Sequence, residues 1–377
     1  MAKLAPSVRL LRSLTRAVRT QQSAVAKLMD AYTAPPRKPR RKPAPRQATP
    51  AAVTEPGTPA RARRPVRTVA APPPGAWLTG QYRPQWTAGQ AAAPGMHYWL
   101  YVPKRVPDDV AQRGWPLVVM LHGCQQSAPQ FADGTRMNRL AEDKGYAVLY
   151  PQQPAGLHAH GCWRWYDRAA QQGDGETALL AGLIGSVCER YRIDRRRVYA
   201  CGLSAGAGMA AVLALNHPEL IAAVGLHSGP MFGAGHSAVG ALQVMRHGAP
   251  LRADAVIADL LQRRAMPPMP ALLIQGEDDR VVHPVNQEQL ARQWLQLNGL
   301  PDGPATRVTS RPAGRGGSRN AHAIHDYLLG RRLVLRVVRV AGLGHAWSGG
   351  DPALKFNAKA GPDASRMMLE FFGRQRR

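Results

Sequence analysis

Residues 197–220 read "RVYACGLSAGAGMAAVLALNHPEL". The segment opens as a short apolar run of strand length, closes as an alanine-rich run of helical length, and sets one serine between two glycines where they meet. Gly202-Leu203-Ser204-Ala205-Gly206 fits the G-x-S-x-G pattern, a sharp strand-to-helix turn that lifts a serine hydroxyl out of a sheet and needs small neighbours on both sides. A chain with 37 glycines produces such patterns by chance, so the surrounding sequence has to decide what the turn is for.

Working outward, further apolar runs of strand length lie at 116–123 (PLVVMLHG), 146–152 (YAVLYPQ), 221–229 (IAAVGLHSG), 270–276 (PALLIQG) and 333–342 (LVLRVVRVAG). Most show no period-2 alternation, which is how strands of a parallel sheet covered on both faces read. Helical patterns near 128–144, 174–191, 205–216, 284–298 and 362–372 alternate with them. The order predicts an α/β fold: a doubly wound, mostly parallel sheet with helices on both faces. Residues 301–332, rich in Gly, Arg and Ser, read as a flexible excursion before the last core strand.

In such a sheet, function collects at the carboxyl ends of the strands. Ser204 ends one run, Asp278 and Asp279 follow another in "QGEDDRVVHP", and His345 follows the last in "VAGLGHAWSGG". The chain order Ser, Asp, His is that of the α/β-hydrolase fold. His122-Gly123-Cys124 closes the first core strand, where that fold supplies a backbone N–H to an oxyanion hole. Each feature alone has a plain structural meaning, as a cap, a turn or a packed histidine; four in this order point to a nucleophile with its base.

The segments "PLVVMLHGCQQS", "CWRWYD", "RVYACGLSAGAGMA", "IQGEDDRVVHPVN" and "GLGHAWSGG" together resemble the esterase family named after polyhydroxybutyrate depolymerases, which also includes feruloyl and acetylxylan esterases. The likeness runs from about residue 95 to 372. It implies a serine carboxylic ester hydrolase with Ser204 as nucleophile, His345 as base and Asp279 as acid. Asp279 is preferred over Asp278 on the spacing Gly276-x-x-Asp279-x-x-Val282, and Asp278 stays an alternative. The N–H of Ala205 and, by the resemblance, that of Cys124 are the expected oxyanion donors. Cys124 and Cys162 both lie in family-like motifs near the expected site mouth, so a disulfide between them is a further expectation. Cys188 and Cys201 read as buried apolar residues.

This chemistry needs no metal or organic cofactor, and "HAHGC" (158–162) and "HAIH" (322–325) lack a partner cluster for metal ligation. Trp163 and Trp347, with Trp165 and Tyr166, are candidates for lining the acyl or alcohol pocket. The expected substrates are polyhydroxyalkanoate-type oligomers or polymer, or short-chain esters; a feruloyl or acetylxylan type of ester is the alternative. Extracellular polymer depolymerases of this family usually append a linker and a polymer-binding domain after the catalytic one; this sequence stops at Arg377 just after the last helical pattern, so degradation of crystalline polymer is not expected unless the N-terminal helix does the anchoring. A peptidase on the same fold would use the same residues, and cleavage of amides rather than esters distinguishes it.

The charge is uneven. Of a formal net charge of +26, residues 1–75 carry +14, from 16 Lys and Arg against 2 Asp and Glu. Within 1–33, Leu4, Val8, Leu11, Val18, Val25 and Leu28 recur at roughly helical spacing with arginines between them, predicting a basic amphipathic helix. Residues 34–76 hold 12 of the 33 prolines and the run "PPRKPRRKPAPR", a composition expected to stay disordered. Contact of 1–75 with an anionic or polymer-granule surface is one reading; a solvated extension is the other. Without interleaved aromatics, no specific nucleic-acid readout is expected. A granule- or nucleic-acid-surface binding protein with lost hydrolase activity is therefore the rival from another class. The family resemblance favours an extracellular location, but Arg9, Arg12, Arg16 and Arg19 interrupt any leader-like apolar core, leaving a cytoplasmic or granule-associated location as the alternative. No apolar run approaches the roughly 20 residues of a spanning helix.

Overall fold

A computed structural model describes residues 72–84, 95–154, 158, 160–249 and 253–377, with the side chains of 253 and 254 left out. The amphipathic helix expected over 1–33, and the linker expected over 34–76 as far as residue 71, lie outside the described residues.

One sheet of ten strands organises the molecule. In chain order these are β1 (Ala76–Tyr82), β2 (Met96–Val102), β3 (Trp115–Leu121), β4 (Ala147–Pro151), β5 (Ile193–Leu203), β6 (Ala223–His227), β7 (Ala271–Gly276), β8 (Arg307–Arg311), β9 (His322–Leu329) and β10 (Arg332–Val340). They lie side by side as β1-β2-β4-β3-β5-β6-β7-β10-β9-β8. From β4 to β10 all neighbours are parallel, and antiparallel pairs extend both edges. The winding reverses between β3 and β5: the chain leaves β3 for β4 on one side and later returns to lay β5 on the other. A crevice opens at such a reversal, outside the carboxyl ends of the two strands.

Burial explains the missing alternation. Leu117, Val119, Val198 and Ala200 face one core layer with the helices Glu176–Arg190, Ala205–Asn216 and Val285–Leu297, while Val118, Met120, Tyr199 and Cys201 face a second with Ala128–Thr135, Met137–Lys144 and Ala364–Phe372. Both sides of β3 and β5 are thus apolar, as a doubly covered parallel sheet requires. The helix Ala205–Asn216 is buried from Ala205 through Leu215, and its small residues let it run close along the sheet. Among the described residues no helix is long and apolar enough to cross a membrane.

Two expectations change. The helical pattern over 128–144 is two helices, Ala128–Thr135 and Met137–Lys144, divided by Arg136 in the left-handed region. Residues 301–332 are no flexible excursion: they hold β8 and β9, which continue the sheet beyond β10. Their register is clamped by the buried Asp326, which accepts from Arg307 at 2.6 Å and from Arg336 Nε and Nη2 at 2.6 and 2.8 Å. The charge of that carboxylate, held low in pKa by these guanidiniums against the cost of burial, substitutes for the apolar run that a central strand would carry.

Candidate active site

Ser204 sits at the crevice between β3 and β5. Its backbone adopts φ 57°, ψ −122°, in the left-handed region that a non-glycine residue enters only under constraint. The neighbours supply the constraint. A Cβ on Gly202 would meet the Leu121 carbonyl oxygen and the Gly206 backbone, and one on Gly206 would meet the carbonyls of Leu121 and His122. Both positions must be glycine for the turn to pass this close to β3. The turn is then fastened by Ser204 N donating to His227 O and Gly208 N donating to Ser204 O, each at 3.0 Å.

The other two residues arrive from the ends of β7 and β10. Asp279 is buried, and its Oδ1 accepts from the backbone N–H of Val281 and Val282 at 2.9 and 3.0 Å. Its Oδ2 accepts from Gln275 Nε2 at 3.0 Å and pairs with His345 Nδ1 at 2.8 Å. Burial alone would raise the pKa of this carboxyl; the charge and hydrogen bond of His345 and the two backbone donors outweigh it and hold it below the usual range. Asp278 is exposed, and its backbone N donates to Leu343 O at 3.1 Å. It is Asp279 whose carboxylate meets the imidazole. The two loops approach so closely that a Cβ on Gly276 would strike the Leu343 carbonyl.

Ser204 and His345 line one cavity together with Gly123, Cys124, Val281 and Phe356. It is shallow, with room for about 10 Å³ of solvent, the space of roughly one water. On the β3 side, Gly123 N is taken up by Gln126 Oε1 at 2.9 Å. Cys124 lines the same cavity, and Ala205 is the first residue of the helix Ala205–Asn216, whose first N–H groups have no partner within the helix.

Cys124 is bonded to Cys162, and Gln125 N donates to His160 O at 2.8 Å. The disulfide expected from the motifs is therefore present, and it ties the β3 loop to the segment carrying Trp163. Cys188 and Cys201 are free and buried. By the chain-entropy account a 38-residue closure contributes about 4 kcal/mol. Beyond stability, the bridge restrains the loop that carries Cys124, the residue expected to supply an oxyanion donor. Cys162→Ser is expected to lower kcat about 10- to 100-fold with secondary structure intact by circular dichroism; unchanged kcat would assign the bridge to stability alone.

The tryptophans fall elsewhere. Trp163 is fully buried with its ring 5.5 Å from that of His122, and Trp347 is fully buried, stacked on His227 at 5.2 Å and donating Nε1–H to Ser365 Oγ at 3.1 Å. Neither lines the cavity; each braces a loop from behind. Trp165 is buried too, and Tyr166 half-buried. The aromatic that does reach the cavity is Phe356, edge-on to His345 at 6.5 Å between ring centroids. It is brought there by a two-stranded ladder, β11 (Trp347–Ser348) with β12 (Asn357–Ala358), and by Trp347 N donating to Phe356 O at 2.8 Å.

Two further histidines support these loops. His122 is buried, its pKa pushed down to about 4 by burial, with Nδ1–H donating to Gly123 O at 2.9 Å and Nε2 accepting from Gln153 N at 3.2 Å. His227, pushed down to about 3 by burial, accepts from Ser348 N at 3.2 Å through Nε2. Both rings are neutral struts. Among the described residues no group of three or more His, Cys, Asp or Glu could hold a metal ion.

Known proteins resemble the chain over this same region. The family described as "Esterase PHB depolymerase" matches residues 96–316, a span that includes Ser204 and Asp279 and stops short of His345. Poly(3-hydroxyalkanoate) depolymerase C of Paucimonas lemoignei is 29% identical over 247 residues, 64% of this chain and 57% of that protein. Acetylxylan esterase A of Talaromyces purpureogenus is 27% identical over 231 residues, 58% of each. The chain thus spans a little over half the length of these relatives. Among solved structures, an acetyl xylan esterase from Aspergillus awamori superposes with a TM-score of 0.58 at 20% identity, over 74% of this chain and 94% of that one, a likeness of fold.

Proposed function

The chain belongs to the PHB depolymerase family of esterases, and we propose that it hydrolyses carboxylic esters through an acyl-enzyme on Ser204, with His345 as base and Asp279 as its orienting acid. The observation that carries this reading is the 2.8 Å pair of Asp279 and His345 on the same cavity as a serine held at φ 57°.

The steps follow from the roles. Asp279 receives the hydrogen bond of the Nδ1 proton of His345, which leaves Nε2 free to accept the Ser204 proton as Oγ attacks the ester carbonyl carbon. The carbonyl oxygen gains the negative charge, and stabilising it is the role assigned to the N–H groups of Cys124 and Ala205; one such donor is worth about 3 kcal/mol. The carbon–oxygen bond to the alcohol then breaks, and that alcohol leaves with the proton held on Nε2. Water, deprotonated by the same nitrogen, attacks the acyl-enzyme, and the proton returns to Ser204 as the carboxylic acid departs.

Phe356, Val281 and the Cys124 side of the cavity leave little room beside Ser204, which favours a small acyl group: a short hydroxyalkanoyl unit or acetyl. The named relatives act on poly(3-hydroxyalkanoate) and on acetylxylan, and both acyl groups fall in this class. We place hydroxyalkanoate oligomers and short-chain esters first, with the acetylated polysaccharide as the second reading.

The test is hydrolysis of p-nitrophenyl esters from acetate to octanoate, beside the matching anilides. Turnover of short esters, with anilides inert, is expected; cleavage of anilides at comparable rates would make the protein a peptidase instead. In the same series Phe356→Ala is expected to move the optimum toward longer acyl chains, by about tenfold in the ratio of kcat/KM for octanoate over acetate. A uniform change across the series would remove Phe356 from the acyl wall.

A further inference from the structure

A second opening lies far from Ser204. It is a cleft with space for about 460 Å³ of solvent, lined by Arg113, Asp194, Arg196 and Arg376. These residues come from three parts of the chain. Arg113 ends the helix Asp108–Arg113 just ahead of β3, Asp194 and Arg196 lie at the start of β5, and Arg376 follows the helix Ala364–Phe372. The cleft therefore sits at the amino ends of the parallel strands, whereas Ser204 and His345 sit at the carboxyl ends.

Its charge is unbalanced in a specific way. The lining carboxylate, Asp194, is already engaged: Arg197 Nε donates to Oδ2 at 2.8 Å and Arg196 N donates to Oδ1 at 3.0 Å. Arg197 also takes Asp109, at 3.0 Å, so the local acidic side chains are both held by one buried arginine. The side chains of Arg113 and Arg376 have no side-chain carboxylate partner among the described residues, while Arg196 Nε donates at 3.3 Å to a carboxyl oxygen of Arg377, the last residue of this chain. Four guanidiniums thus meet two side-chain carboxylates, and three of the four line one opening. Arg113, Arg196 and Arg376 are exposed, and like charges gathered around one opening raise the local positive potential and draw anions to it.

The frame is built, not loose. Tyr199 OH donates to Gln375 O at 2.8 Å, the buried Gln375 side chain donates to Leu333 O at 2.8 Å, and Arg377 N donates to Arg196 O at 3.0 Å. These bonds fix the main chain on either side of Arg376 beside β5.

We propose that this cleft is a binding site for a multiply charged phosphate, such as a condensed phosphate or the phosphoryl groups of a phosphate ester. Planar guanidinium forks match phosphoryl oxygens two at a time, and the volume lies in the range of small-ligand sites. No aromatic side chain lines the cleft to stack a base, so recognition is of phosphoryl oxygens. The same chemistry is presented by a soluble polyphosphate or by a phosphorylated lipid headgroup. The inference is independent of the esterase reading.

Calorimetric titration of the full chain with tripolyphosphate, near physiological salt, tests it. Saturable one-to-one binding is expected, about tenfold or more weaker in Arg113→Gln/Arg376→Gln, with p-nitrophenyl acetate turnover unchanged. The charge-conserving Arg113→Lys/Arg376→Lys, which keeps the field and loses the forks, should weaken binding by less. No binding, or equal affinity in all three proteins, overturns the assignment and leaves any phosphate to the basic residues 1–75. Cosedimentation with vesicles containing phosphatidic acid then separates the sources. Vesicle binding that tripolyphosphate displaces and the glutamine variant loses identifies a lipid headgroup; tripolyphosphate binding without vesicle binding identifies a soluble ligand.

Discussion

Ser204→Ala is expected to abolish ester hydrolysis, lowering kcat by about 10⁴- to 10⁶-fold, while the protein stays folded. Under the proposed roles the loss is large because removing the nucleophile leaves His345 and the two backbone donors with no covalent step to assist. What survives is the residual stabilisation of a tetrahedral species by the Cys124 and Ala205 N–H groups, worth about 10³-fold over water. The fold survives for a different reason. The serine already tolerates φ 57°, and alanine at the same dihedrals adds no new clash because Gly202 and Gly206 make the room. Ser204→Gly relieves the backbone strain and should raise the unfolding temperature slightly while being equally inactive. Rates within tenfold of the wild type in either variant would mean that Ser204 is a turn residue and the chemistry lies elsewhere. Gly206→Ala is the complementary control: it removes no proposed catalytic side chain and should still fail, because the collision with Leu121 O displaces the turn that carries Ser204.

How legible each part of the fold and the site is in the amino-acid sequence depends on how local its requirements are. Ser204 can be read because it needs only two glycines and a change from strand to helix within five residues. The six parallel strands can be read because their central residues are buried on both faces, so each shows as an apolar run, broken in β10 by Arg336 and the exposed Arg339. β8 cannot. Its residues Arg307–Arg311 are largely exposed, they are held by backbone pairing and by the Asp326 clamp on Arg307 and Arg336, and those two arginines lie 29 positions apart in sequence. A short stretch rich in Arg, Ser and Gly carries no trace of that. Phe356 is equally hidden, since it reaches the cavity only through the ladder of β11 with β12, two residues on each side. Trp163 and Trp347 mislead in the opposite direction. A tryptophan beside a strand end suits a pocket wall or a core equally well by composition, and here the core takes both. The choice between Asp278 and Asp279 turns on one register step, which spacing leaves open and the path of the backbone between Gly276 and Val281 decides.

That last pair makes the second decisive experiment. Asp279→Asn is expected to lower kcat about 10³- to 10⁴-fold, and Asp278→Asn to leave it within about twofold. The asymmetry follows from the hydrogen bonds. In the native site one carboxylate oxygen faces two donors, the N–H of Val281 and of Val282, and the other faces Gln275 Nε2 and the His345 Nδ1 proton. An amide in that place keeps its oxygen toward the two backbone donors, since the reverse orientation would oppose its NH₂ to both. The NH₂ then faces His345 and donates to Nδ1. The imidazole proton is thereby moved to Nε2, the nitrogen that has to accept from Ser204, and the base is lost although every atom is nearly in place. Stability should fall as well, because the NH₂ also confronts Gln275 Nε2. The effect of pH has a definite sign. The folded carboxyl is held below its usual pKa, so its contribution to stability is complete above the unfolded value near 4 and is lost as pH falls through the lower folded value. Wild type and Asp279→Asn should therefore differ most in unfolding temperature at neutral pH and converge in strong acid. Asp278 is exposed and does not meet the imidazole; a crippled Asp278→Asn beside an active Asp279→Asn would reverse the assignment and with it the path of the loop after β7.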